Sequence, residues 1–254
     1  ITPATTDADR AWVSEALGVA DRCPVVSEPF RQWVIEDRFA SGRPPLERVG
    51  ALFTDRVAAW ETYKLRLLNA THSVLAYISA LAGIGWVDDA LGTPAVRSLV
   101  ESFLAEEALP SLPRIPGHPP EPYAETVLRR FSAHGVRDQV ARLCVDGTVK
   151  VATFIMPTVE ASVAAGRPVG RSALAIAAWA RYLAVVPVDA QAHDTHGGEA
   201  RRYAVAALSD PVSFLEFARV FPDSVANDAG FRAAFVGYLR RLEHEDPLAV
   251  AAAP

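Results

Sequence analysis

Three observations predict a mainly α protein, a multi-helical domain. Apolar residues recur at helical spacing along almost the whole chain. Only two short stretches resemble strands, "CPVVSE" and "AVVPVD", too few to alternate with helices in a parallel sheet. The 254 residues are 50% hydrophobic, enough for one sizeable core or two modest ones sharing an interface. No repeat of solenoid type is detectable.

Taken in order, Thr5, Thr6 and Asp7 offer N-caps for a first helix that runs to Leu17, with Gly18 as its stop. The stretch "WETYKLRLLNATHSVLAYISALAG", Trp60 to Gly83, reads as a largely apolar helix with a few polar residues set into it. In "GTPAVRSLVESFLAEEAL", Thr93 is a cap and Pro94 takes the first helical position, where its missing N–H costs nothing. Further helical periods cover Pro122 to His134, Val136 to Val145, Val149 to Ala165, Ser172 to Val185, Gly198 to Leu208, Asp210 to Val220 and Asp228 to Glu243. Two loops, "SLPRIPGHPPEPY" and "VDAQAHDTHGGEA", separate them and are rich in Pro, Gly and His.

Composition narrows the function. The net charge is −5 and basic residues are scattered, so no footprint for nucleic acid or anionic membrane is present and a small-molecule partner is expected. Cys23 and Cys144 fit neither a zinc pattern nor a secreted disulfide framework, and are read as two free, buried thiols in a reducing compartment. No charged leader with an apolar region is found, and every apolar run is broken before the ~20 residues of a membrane span, which predicts a cytoplasmic protein. No GxGxxG follows a strand and no GxxxxGK[ST] occurs, so a nucleotide cofactor must be bound elsewhere. Among the 25 Lys and Arg residues, Lys64 and Lys150 are the only lysines. Guanidinium cannot give up its proton near neutrality, whereas a desolvated ammonium can, so each lysine merits inspection as a base.

On an ideal α-helix, Glu61 lies ~60°, His72 ~80° and Asn69 ~140° from Lys64, a single polar arc. Leu67, Val74 and Ile78 fall on the other side and can pack, while Leu75 lies close to Lys64. One wall of this helix can therefore line a cavity while the other anchors it. An amine, an amide and an imidazole on one wall suit proton transfer beside a developing negative oxygen. The competing reading is structural: a solvated Glu61–Lys64 pair, an irregularity at Asn69 and a satisfied core histidine. Metal binding is not expected, since neither HExxH nor paired carboxylates accompany His72, and His193 and His196 in "AHDTHGG" read as a solvated loop.

The string "KLRLLNATHSVLAYISALAG" closely resembles the signature of the mannitol dehydrogenase family, the polyol-specific long-chain dehydrogenases: Lys, four residues, Asn, two residues, His. Lys64, Asn69 and His72 match it position for position. The segments "ITPATT", "CPVVSEPFRQWVIEDRF", "GRPPLERVGALFTDRV" and "ARLCVDGTVKVATFIMPT" are similar to family segments in the family's order, so the resemblance covers about residues 1–190.

The resemblance implies a zinc-independent, NAD- or NADP-dependent oxidoreductase with an N-terminal Rossmann-type domain, a helical C-terminal domain and the active site between them. Lys64 would be the general base, Asn69 a donor to the developing alkoxide or carbonyl oxygen, and His72 a hydrogen-bond partner of the substrate near Lys64. Glu61 matches the acidic residue that links the lysine to bulk water, and Arg142 and Lys150 match residues that contact the remaining hydroxyls or a carboxylate. Because "ITPATT" follows the Rossmann-type domain in the family, residues 1–20 are expected to be a remnant after that missing domain and residues 21–254 the catalytic, substrate-binding domain. The cofactor is then held mainly by the missing domain, and the chain alone is expected to be inactive. The implied substrate is a polyol and its ketose. The alternatives are a hexuronate of the fructuronate or tagaturonate kind and, in another class, a non-catalytic helical binding or assembly domain.

Overall fold

The computed structural model describes residues 2, 5–135 and 137–252. It divides into two compact units, Ile1–Val57 with Ala133–Asp138 and Ala58–Ser132 with Gln139–Pro254.

In the first unit, helix Asp7–Leu17 begins with a capping box. The Thr6 side chain accepts from the Asp9 amide, and the Asp9 carboxylate accepts from the Thr6 amide at 2.7 Å. Gly18 closes the helix at φ 69°, a left-handed conformation that glycine adopts without a Cβ penalty. The strands are not where the sequence places them. Residues 23–28 ("CPVVSE") form none, and 184–189 ("AVVPVD") contain a helix end followed by a 3-10 turn. Instead β1, Trp33–Glu36, pairs in parallel with β2, Ala51–Thr54, from Trp33↔Ala51 to Glu36↔Thr54. Phe39 meets Phe53 edge to face at 5.7 Å, and Arg43 stacks over Phe53 at 4.0 Å.

The second unit is helical throughout. Its centre is Ala70–Leu81, with nine buried residues, crossed by the equally buried Gly170–Val185. A helix apolar on every side belongs inside a core. Around this pair pack Pro94–Ser102, Val140–Cys144, Gly197–Ala206 and Ala229–His244, and an aromatic cluster of Trp179, Phe214, Phe221, Phe231 and Phe235 fills the C-terminal end. Several expected boundaries move. Val136 lies outside the described residues, and the helix expected from it begins at Val140. Asp210–Val220 reduces to a 3-10 turn, Pro211–Glu216, while Asp228 caps Ala229–His244 by accepting from the Phe231 amide. Short helices at Val87–Gly92, Asp223–Ala226 and Pro247–Ala252 were not legible. No described helix is long and apolar enough to cross a membrane.

Among the described residues, three helices contain π-helical segments: Lys64–Asn69, Phe103–Ala108 and Val151–Ile155. The first packs against both of the others. Such i→i+5 turns are rare and cluster at functional sites. Both lysines of the chain stand at the start of one, Lys64 as its first residue and Lys150 just before it.

Candidate functional site

The helix that begins at Val57 passes through the π segment Lys64–Asn69 before continuing as Ala70–Leu81. This corrects the polar arc. The Ala70 amide donates to the Leu65 carbonyl, five residues back, so a residue five positions on closes the turn here. Lys64 and Asn69, ~140° apart on an ideal α-helix, are thereby brought one above the other. His72 follows Asn69 by three residues of α-helix and shares its face. The spacing of five positions and then three, with four and then two residues intervening, is thus the spacing that a π turn followed by an α turn aligns. The hydroxyls of Thr71 and Ser73 donate to the carbonyls of Leu67 and Asn69, at 2.6 and 3.3 Å, within the turns that the irregularity disturbs.

Lys64 and Glu61 are exposed, and Asn69 and His72 are half-buried. Two of the buried polar atoms without a hydrogen-bond partner are Asn69 Oδ1 and His72 Nε2. Buried polar groups are normally paired, so an unpaired amide and imidazole on one face mark a place where another molecule's polar atoms fit. The His72 ring stacks on Phe131 with centroids 3.9 Å apart and planes 8° from parallel. Burial first, then the positive charges of Arg142, Lys150 and Arg130, holds its pKa well below the ordinary histidine value, so the imidazole is neutral.

The second group of expected residues approaches from the turn after Val140–Cys144. Arg142 is exposed on this short helix. Lys150 Nζ donates to the carbonyls of Arg142 and Leu143, at 3.2 and 3.0 Å, placing a cation on the helix C-terminus. Arg142 and Lys150 are therefore linked to one another, and both charges act on His72.

Tyr77, five residues beyond His72, keys the central helix to this turn. Its hydroxyl donates to the Cys144 carbonyl at 3.2 Å, and a Cβ on Gly147 would collide with the Tyr77 hydroxyl oxygen. Only glycine fits at 147. Sequence reasoning missed Tyr77 and Phe131, which read as ordinary core aromatics, while the Asp146-Gly147 pair carried an unused turn signal.

Cys144 is buried and its thiol is pushed up to about 12 by burial, so it packs rather than reacts. Cys23 is exposed, against the expectation of two buried thiols. Among the described residues no cluster of His, Cys, Asp and Glu could hold a metal ion.

Fold and geometry define a class: a multi-helical domain presenting a lysine, an amide and a neutral imidazole along one π-interrupted helix. Residues 56–242, well over half of the chain, match the family model described as the mannitol dehydrogenase C-terminal domain, and the chain belongs to the mannitol dehydrogenase family. It is 39% identical to a mannitol 2-dehydrogenase of Phaeosphaeria nodorum over 96% of its own length and 44% of the relative's. It is 34% identical to mannitol dehydrogenase 2 of Saccharomyces cerevisiae, over 98% of its length and 50% of that protein's. Among solved structures it is similar to Pseudomonas fluorescens mannitol 2-dehydrogenase, described as a ternary complex with NAD and D-mannitol, at TM-score 0.88 and 33% identity, covering 99% of this chain and 52% of that one. A D-sorbitol dehydrogenase in substrate-free form matches at TM-score 0.86 and 29% identity, covering 100% and 52%. The chain thus spans about half the length of the relatives it matches.

Proposed function

We propose that this chain is the substrate-binding, proton-transferring half of an NAD-dependent polyol dehydrogenase that interconverts a mannitol-like polyol and its ketose. The observation that carries this reading is the pair of unpaired buried atoms, Asn69 Oδ1 and His72 Nε2, on the face that the π turn aligns with Lys64.

A secondary hydroxyl seated against that face would lose its proton to Lys64 as general base. The Asn69 amide would donate to the oxygen as negative charge develops, once its oxygen and nitrogen are assigned to suit the substrate. Neutral His72, fixed against Phe131, would hold the same oxygen near Lys64 without competing for the proton. Exposed Glu61, one turn before Lys64, would pass the proton to water, and Arg142 with Lys150 would receive the remaining hydroxyls. The hydride leaving the carbinol carbon needs a nicotinamide dinucleotide as acceptor, and the described residues offer no cradle for one: β1 and β2 are joined through a 3-10 turn, with no glycine-rich start of a helix between them.

That acceptor would be bound by a domain in the half of the relatives this chain does not span. In support, Trp12, Val25 and Trp33 of the first unit are exposed at 68%, 71% and 57%, and its parallel strand pair is too small to stand alone. Free thiols at Cys23 and Cys144 are in keeping with a reducing, cytoplasmic location. A hexuronate substrate is the second reading, favoured by the positive charges of Arg142, Lys150 and Arg130 around His72, which suit a carboxylate.

The test is an NAD(H)- and NADP(H)-linked assay of the full-length protein with mannitol, sorbitol, arabinitol, fructose, fructuronate and tagaturonate. Turnover of the polyols and fructose supports the first reading and preference for the keto acids the second. Silence with all of them would contradict both.

A further inference from the structure

The turn that bears Arg142 and Lys150 is held by the loop read from sequence as solvated. Asp146 adopts a left-handed conformation, φ 50° and ψ 47°, which aspartate tolerates better than most side chains. Its Oδ1 accepts from both the amide and the hydroxyl of Thr195, each at 3.0 Å. Reciprocally, Asp194 Oδ2 accepts from the amide and the hydroxyl of Thr148 at 2.7 and 2.9 Å, while its Oδ1 accepts from the His196 amide at 2.9 Å. The Asp146 amide donates to the His193 carbonyl at 2.7 Å and completes the lock. Each side thus gives one aspartate and takes one threonine.

The turn and the two cationic residues move as one piece, because the Lys150 amide bonds the Asp146 carbonyl and its ammonium bonds the Arg142 and Leu143 carbonyls. Val140, Leu143 and Cys144 anchor the inner side of this piece, but Arg142 and Val149 are exposed, so its outer side is left to directional bonds. Hydrogen bonds to ionised carboxylates suit that task, being shorter and stronger than neutral ones.

We propose that Asp146, Thr148, Asp194 and Thr195 form a positioning clasp that aims the Arg142–Lys150 turn and so sets recognition of the polyol's distal hydroxyls. This rests on the reading of Arg142 and Lys150 as substrate-binding residues. The four are positioning residues, since none is placed against the reacting atoms.

The test uses the full-length dehydrogenase with Thr148→Val and Thr195→Val, which keep side-chain shape and remove the hydroxyls, and Thr148→Ser, which restores one. Steady-state kinetics are measured with D-mannitol and with a four-carbon polyol that lacks the distal carbons. The expected result is a rise of about tenfold in KM for mannitol with kcat and nucleotide KM little changed, an unaltered KM for the short polyol, and recovery in Thr148→Ser. Equal changes for both polyols, or a lower thermal midpoint with unchanged kinetics, would overturn the clasp. Arg142→Ala and Lys150→Ala separate the two levels. An unchanged mannitol KM in both removes the underlying reading and the clasp with it, whereas a raised KM there beside unchanged Thr148→Val kinetics removes the clasp alone.

Discussion

His72 shows how one residue's surroundings choose its chemistry. A histidine in water is half-charged near 6.5, but burial and the neighbouring cations of Arg142, Lys150 and Arg130 keep this one neutral. Below ~6.5 the unfolded chain takes up a proton that folded His72 refuses, so the stability it contributes is lost as pH falls through that value. His72→Asn is expected to remove this contribution, leaving only the slopes of other groups when the thermal midpoint is followed from about pH 5 to 8. Phe131→Leu is expected to destabilise by about 1–2 kcal/mol and to let the His72 pKa rise toward 6.5, observable in a histidine NMR titration. An unmoved titration would show that the stack does not hold the ring.

At the scale of the element, the π segment does what an ideal helix cannot, aligning residues five apart. Deleting Leu65 is expected to regularise the helix while leaving Lys64 and Asn69 four residues apart and still on one face, so turnover of the full-length enzyme is expected to survive; its abolition would show that the π turn does more than align the two residues. Gly147→Ala drives a Cβ into the Tyr77 hydroxyl and is expected to cost about 1–3 kcal/mol, part of it recovered in the Tyr77→Phe background, by thermal unfolding of the single and double variants. The sequence carried the helical class, the capping box at Thr6, Pro94 at its helix start and the polar helix face. It hid the π turns, because propensity and periodicity do not register one extra residue in a turn. It also misplaced both strands. "CPVVSE" and "AVVPVD" have β-branched runs, yet Trp33–Glu36 and Ala51–Thr54 pair with each other instead, an outcome fixed by tertiary context rather than local preference.

Across the whole molecule, two buried ionisable groups act in opposite directions. Glu107 lies in the π segment Phe103–Ala108 and accepts from the Arg171 and Ser172 amides and the Ser172 hydroxyl, at the start of Gly170–Val185. Burial raises its pKa from 4.5 to about 7 against those hydrogen bonds. Between these values folded Glu107 keeps a proton that the unfolded chain has lost, so its contribution to stability falls as pH rises through the window. His72 contributes the reverse slope over much of the same range. Stability of the unaltered protein is therefore expected to vary little with pH there, whereas Glu107→Gln leaves a rise with pH and His72→Asn a fall, read from thermal midpoints. Equal profiles in all three proteins would contradict both assignments.

In the proposed function the polar face of the π-interrupted helix performs proton transfer in polyol oxidation. That role is tested most directly by comparing Lys64→Ala with the unaltered full-length protein in NAD-linked oxidation of D-mannitol. A loss in kcat of about 10³-fold or more with a much smaller change in KM is expected, as when a group acting only in the transition state is removed. Turnover within a few-fold of the unaltered enzyme would contradict it.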